Sequence, residues 1–176
     1  QSTKPLWALV EKEFSIRCDS GRLAFALGAI GKGFALDRMA EALREWSCPA
    51  FLLVAGGSSV LAGEAPTGTN GWSCGLGEDN SPRRHWLTNI SLSGSGLAVK
   101  GEHIFDPRTG MPGSRHNRTW ALAGSAAESD ALSTACMILE IPEIQEIVQR
   151  NDDWLVFLNE KEDWRHLGLR PVPPLA

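Results

Sequence analysis

Residues 28–44, GAIGKGFALDRMAEALR, decide how this chain is read. A glycine-rich turn, Gly28-Ala29-Ile30-Gly31-Lys32-Gly33, runs straight into helical periodicity. Leu36, Met39, Ala40 and Leu43 fall at i, i+3, i+4 and i+7, which predicts one apolar stripe facing a core, with Asp37, Arg38, Glu41 and Arg44 largely on the other faces. Pro49 is expected to stop the helix. The turn also has a chemical reading. Glycines let a ligand approach the backbone, a helix start offers free N–H groups, and Lys32 adds a full positive charge. Together these stabilise an anion such as phosphate. The spacing is not that of a Walker A loop, because Gly33 takes the Ser/Thr position, nor that of G-x-G-x-x-G. An ordinary strand-to-helix turn with a solvated lysine explains the same residues.

Outward from this segment, residues 7–18 alternate apolar and polar side chains and predict one or two short strands. Residues 50–55, AFLLVA, form a continuous apolar run ending in Gly56-Gly57, which predicts a buried strand. Residues 63–82 are rich in Gly, Pro, Asn and Ser and read as a loop interrupted by Trp72. Further strands are expected at 86–92, 97–105 and 119–123, and helices at 126–139 and 142–149. A closing hairpin pairs 154–158 with 164–167 around a polar turn at 159–162, and the tail RPVPPLA is expected to be extended and weakly ordered. Helices mixed with hairpins, without a solenoid repeat, predict an α+β fold of mixed α/β layers, one domain over 1–176.

Composition narrows the function. The 43% of hydrophobic residues suffice for a sizeable core, so a single globular domain is expected. A net charge of −4 without a basic stripe argues against nucleic acid as the main partner. No window approaches the roughly 18 apolar residues of a transmembrane segment, and the first residues do not read as a signal peptide. The chain opens at Gln1 inside a strand-rich region, which suggests a processed product or a fragment, with any export signal absent or removed. Cys18, Cys48, Cys74 and Cys136 are scattered and read as buried or partly buried thiols rather than a zinc site or disulfide framework. The compartment stays open.

Three further constellations could carry chemistry. Asp130 and Thr134, in SDALSTACMIL, share a helix face and suit a hard cation such as magnesium, although an Asp near a helix start also favours the dipole. His103-Ile104-Phe105-Asp106-Pro107-Arg108-Thr109-Gly110 brings an imidazole, a carboxylate and a guanidinium together, while Asp106 before Pro107 is also a plain turn former. Gly56-Gly57-Ser58-Ser59 and Ser93-Gly94-Ser95-Gly96 read as polar glycine turns whose amides could meet an oxyanion, or as simple turns.

The order of these pieces is more specific than any one of them. The series G-A-I-G-K-G-F-A-L-D, G-G-S-S, S-G, H-I-F-D-P-R-T-G and S-D-A-L-S-T-A resembles the ApbE family of FAD-dependent flavin transferases, from about residue 23 to 139 and more loosely to the terminal hairpin. The resemblance implies FAD and Mg2+ as ligands and transfer of FMN to a Thr or Ser hydroxyl of a target protein, with release of AMP. It implies Asp130, Thr134 and the main-chain carbonyl of Ala29 as metal ligands, with Gly28 and Lys32 beside the diphosphate. His103 would be the base for the incoming hydroxyl. Asp106 shares its catalytic pocket, Arg108 and Thr109 line it, and Ser93-Gly94 matches a flavin-side turn. Ala26 and Ser58 depart from the family pattern, which usually has an acidic residue at the first position and an acidic or amide residue at the second. Family members are also considerably longer, so an N-terminal portion with further FAD contacts is expected before Gln1. A magnesium-dependent FAD diphosphatase and a non-catalytic flavin-binding relative are the alternative readings.

Overall fold

The computed structural model describes residues 7–18, 25–76, 83–97, 104–160 and 163–176. Strands β1 (Trp7–Val10) and β2 (Ser15–Cys18) form an antiparallel hairpin of their own. Helix α1 (Gly31–Glu45) follows the glycine turn. Then come β3 (Leu52–Ala55), β4 (Ser59–Ala62), β5 (Trp72–Leu76), β6 (Arg83–Leu87) and β7 (Ile90–Gly96). The two-residue strands β8 (Phe105–Asp106) and β9 (Met111–Pro112) precede β10 (Arg118–Ala123). Helices α2 (Ala126–Cys136) and α3 (Ile141–Val148) and the hairpin β11 (Leu155–Glu160) and β12 (Asp163–Gly168) complete the order.

Six strands form one antiparallel sheet in the order β12-β11-β10-β7-β4-β3. Successive strand side chains point to opposite faces, so each strand serves two cores. Ile90, Leu92, Trp120, Leu122, Leu155 and Phe157 face the β5–β6 hairpin, where they pack on Cys74, Leu76 and Leu87. The alternate residues Ala121, Val156 and Leu158 pack on Leu132 and Cys136 of α2 and on Ile144 and Val148 of α3. Leu61 meets Leu36 and Ala40 of α1, with Phe51 and Ala126. The result is the expected α+β layering: hairpin, sheet, helices.

Several local expectations are corrected. Met39 is 52% exposed, and the buried positions of α1 are Gly33, Leu36 and Ala40. Glycine at 33 is needed because α1 and α2 cross there: a Cβ would stand 2.0 Å from the Ala126 carbonyl oxygen. The helix ends at Glu45, before Pro49, and Ser47 reverses the chain at φ 57°. Strand β3 is an edge strand with Val54 59% exposed, not a buried one. The region read as a loop contains β5, and the run at 86–92 splits into β6 and β7 at Asn89, φ 50°. Most of the strand expected at 97–105 lies outside the described residues.

Ser93-Gly94-Ser95-Gly96 is not a turn but the end of β7, paired with β10. The tail also pairs: Trp86 N–H donates to the Pro174 carbonyl and Ala176 N–H to that of Arg84, at 2.8 and 2.9 Å. Of the four thiols, Cys18 and Cys48 are exposed rather than buried, while burial pushes Cys136 up to about 12.

Candidate functional site

The centre of the site is a carboxylate that the fold has buried. Asp130 sits on the fifth position of α2 and is 1% exposed. Lys32 Nζ donates to its Oδ1 at 2.8 Å, Ser59 Oγ to the same oxygen at 3.3 Å, and the Gly33 N–H to Oδ2 at 3.2 Å. Two distant chain segments, the start of α1 and the start of β4, therefore converge on one side chain of α2. The Lys32 side chain keeps 34% exposure, so its ammonium is reachable from solvent while Asp130 is not.

Helix packing creates this convergence. The Asp37 carboxylate accepts from the backbone N–H groups of Ala126 and Ala127 at 2.8 and 2.9 Å. Ser125 Oγ accepts from Glu128 N–H at 3.2 Å. The start of α2 is thus capped from within and by its neighbour. Asp37, read from the sequence as a residue of the outer face, instead locks α1 onto α2.

Below Asp130 runs a seam of hydroxyls between β7 and α2. Ser129 Oγ lies 2.7 Å from Ser91 Oγ and 2.9 Å from Ser93 Oγ, and Ser91 Oγ donates to the Val60 carbonyl at 2.8 Å. Each hydroxyl has one proton to give. The order Ser93 to Ser129 to Ser91 to Val60 satisfies all three. Further along, Ser95 Oγ lies 2.9 Å from Ser133 Oγ and 3.1 Å from Thr134 Oγ1. Thr134 Oγ1 also donates to the Asp130 carbonyl at 3.2 Å. Ser59, Ser91, Ser93, Ser129 and Ser133 are fully buried. The sequence reading missed this seam, although the period-2 serines 91, 93 and 95 facing serines 129 and 133, four apart, carried the signal.

A second cluster lies around the D-P-R-T-G turn. The Arg108 guanidinium donates to both Asp106 oxygens, with Nε–Oδ1 at 2.9 Å and Nη2–Oδ2 at 2.8 Å. It also reaches Glu143 of α3 at 2.7 Å and the Ile138 carbonyl at 3.1 Å. The Arg108 donors hold the Asp106 carboxyl below its ordinary range, and the Asp106 carboxylate in turn raises Arg108. Glu143 is lowered too, first by the Glu140 N–H and then by Arg108. Thr109 and Gly110 N–H groups close the turn on the Asp106 carbonyl at 3.2 and 2.8 Å.

Of the residues singled out from the sequence, Lys32 and Asp130 touch, while Thr134 lies one turn further along α2 with its hydroxyl on the Asp130 main-chain carbonyl. Gly28 and Ala29 form the turn before α1. Ser93 is buried against Ser129, and Gly94 lies under the Trp120 ring, 2.9 Å from where a Cβ would stand. Asp106, Arg108 and Thr109 belong to the second cluster, near the far end of α2. That end, at Cys136, is about 9 Å along the helix from Asp130 at 1.5 Å per residue. His103 lies outside the described residues.

The geometry defines an α+β domain that sets a cation against a buried carboxylate where two helices cross. The family model for the ApbE family matches residues 5–158, and the chain belongs to that family. It is 25% identical over 151 residues to an FAD:protein FMN transferase of Salmonella typhimurium, covering 77% of this chain and 42% of that protein. A Haemophilus influenzae FAD:protein FMN transferase is 26% identical over 141 residues, covering 72% and 40%. The chain therefore spans about two fifths of the length of these relatives. Among solved structures, the flavin transferase ApbE of Vibrio cholerae superposes with a TM-score of 0.74 at 19% identity, over 92% of this chain and 55% of that one. The apo flavinyl transferase ApbE of Pseudomonas stutzeri gives 0.73 at 20% identity, over 92% and 52%. These two likenesses establish the fold.

Proposed function

We propose that this chain forms the metal- and diphosphate-binding part of an FAD:protein FMN transferase, which moves FMN from FAD onto a Thr or Ser hydroxyl of a target protein and releases AMP. Family membership sets the reaction class, and the convergence of Lys32, the Gly33 N–H, Ser59 and Asp130 carries the assignment to this site. The Asp130 carboxylate, the Thr134 hydroxyl and the Ala29 carbonyl are hard oxygen donors of the kind magnesium takes. Asp130 already holds a cation, the Lys32 ammonium, at 2.8 Å. The donor set fits the ion. When bound there, magnesium would neutralise diphosphate oxygens as charge develops on them.

The rest falls to the chain. Gly28 and Lys32 at the start of α1 face the diphosphate, where backbone N–H groups and a full charge favour an anion. The Gly33 N–H and Ser59 orient the carboxylate of Asp130. His103 takes the proton of the incoming hydroxyl as its oxygen bonds to the FMN phosphorus and the bond to the AMP oxygen breaks. With its carboxylate committed to Arg108, Asp106 serves to shape the turn that follows His103, together with Arg108 and Thr109. Ser93 and Gly94 set the shape of the strand on the flavin side.

The test is incubation of the protein with FAD, Mg2+ and a Thr- or Ser-containing target peptide. FMN on the peptide, with AMP in equal amount, is the expected result. Free FMN and AMP with an unmodified peptide indicates the diphosphatase, and no AMP from bound FAD removes the enzymatic reading.

A further inference from the structure

We propose that Lys32 acts as a placeholder cation: it neutralises Asp130 until a divalent cation takes the carboxylate, then withdraws to the diphosphate. Metal and anion would thereby bind with positive coupling. The inference rests on the function proposed above and adds an exchange within that site.

The first ground is charge. A buried carboxylate is costly unless paired, and Asp130 is 1% exposed. Its other two donors, the Gly33 N–H and the Ser59 hydroxyl, are neutral, so the Lys32 ammonium supplies the compensating charge.

The second ground is lone-pair occupancy. Lys32 and Ser59 both donate to Oδ1, which fills its two in-plane positions, while Oδ2 carries the Gly33 N–H. With Nζ 2.8 Å from Oδ1, a divalent cation on either oxygen of this carboxylate would stand close to the ammonium and be repelled by it. Lys32 therefore gives way as the ion binds.

The third ground is that Lys32 can leave. Its side chain is 34% exposed, and its stem runs past Gly56, where a Cβ would stand only 3.2 Å from Lys32 Cδ. Gly56 is at φ +60°, so the turn between β3 and β4 suits glycine and leaves the stem room. Lys32 is also the second residue of α1, and the residue preceding the helix, Ile30, makes no side-chain cap bond. A withdrawn ammonium therefore stays on the anion-favouring end of the helix.

Linkage makes the effect reciprocal. Whatever draws Lys32 off Asp130 exposes the carboxylate to a cation, and whatever cation displaces Lys32 frees it for an anion. The test is Mn2+ binding, counted by electron paramagnetic resonance without nucleotide, for the wild type, Lys32→Met, Lys32→Gln and Asp130→Asn. Both Lys32 variants are expected to bind Mn2+ about tenfold more tightly than wild type, within the usual range of coupling between sites. Saturating inorganic phosphate should tighten Mn2+ binding in the wild type and leave the Lys32 variants unchanged.

Equal or weaker Mn2+ binding in both Lys32 variants, with binding lost in Asp130→Asn, overturns the exchange and leaves the metal assignment standing. Unchanged Mn2+ binding in Asp130→Asn overturns both. A phosphate effect of equal size with and without Lys32 overturns the coupling. Lys32→Gln keeps a neutral donor near Asp130, and it carries the comparison if Lys32→Met melts too low to titrate.

Discussion

Replacing Gly33 by alanine tests whether the crossing of α1 and α2 creates the site. In an isolated helix this change is favourable by about 1 kcal/mol. Here the new Cβ would stand 2.0 Å from the Ala126 carbonyl oxygen, 2.3 Å from its carbon and 2.6 Å from Ala127 N. All three are backbone atoms, so no side chain can rotate away. The helices must separate. Overpacking of this kind costs about 3 kcal/mol at the upper end of its usual range. Separation also strains the Asp37 bonds to Ala126 and Ala127 N–H, worth about 1 kcal/mol as a cap. The net expectation is a loss of about 3 kcal/mol, or about 6–12 °C in Tm for a domain of this size. Thermal and urea melts measure it, and faster hydrogen exchange at the Ala126 and Ala127 amides locates it. Gly28→Ala is the control, since a Cβ at Gly28 meets nothing within 4 Å. A Gly33→Ala protein as stable as the wild type, or more so, would refute the helix-crossing account.

Further outcomes follow from the same contacts. Asp37→Ala removes the acceptor for two α2 amides and should cost about 1–2 kcal/mol in urea melts, with exchange again quickened at Ala126 and Ala127. Ser129→Ala leaves the buried Ser93 hydroxyl without its partner and should cost about 1–3 kcal/mol in urea melts. Asp106 has a folded pKa below its unfolded one, so the stability it adds is present above the ordinary carboxylate value and is lost as pH falls through the depressed value. The stability gap between wild type and Asp106→Asn should therefore be flat above about pH 5 and shrink below about pH 4. A gap that widens on acidification refutes the assignment. Asp130→Ala should raise the Mg2+ needed for turnover more than it weakens FAD binding, and superimposable Mg2+ titrations of mutant and wild type would refute that role.

The fold was legible where periodicity was unbroken. Helix α3 and the β11–β12 hairpin carry clean patterns, and the structure has both elements, although Asn159 and Glu160, read as part of the turn, continue strand β11. Reading failed where one residue type serves two purposes. Glycine and serine suggest turns, yet Ser93-Gly94-Ser95-Gly96 is strand because serines fit against α2 and glycines leave room for Trp120 and Arg118. The same composition hid β5 within a Gly- and Ser-rich stretch. Met39 is exposed despite its helical spacing for a related reason: spacing alone does not reveal that a neighbouring helix approaches closely enough to select Gly33 as its contact.

The site was half legible, and the missing half explains how the legible half works. Asp130, Thr134 and Lys32 are recognisable as chemistry, but nothing local to them says that Asp130 is buried or that Lys32 reaches it. Those facts depend on residues about a hundred positions apart meeting at a helix crossing. A purely apolar interface between β7 and α2 would leave the polar edge of α2 unpaired as it approaches the sheet. The serine seam resolves this: each hydroxyl on the helix finds one on the strand, and α2 packs closely enough for Asp130 to receive Ser59 from β4. The seam thus holds a charged residue in a dry position with little freedom to move. Lys32, half-exposed, keeps the freedom that Asp130 has lost. A rigid carboxylate beside a movable ammonium is the asymmetry that the proposed exchange between metal and diphosphate would use, since one partner stays fixed while the other follows the ligand.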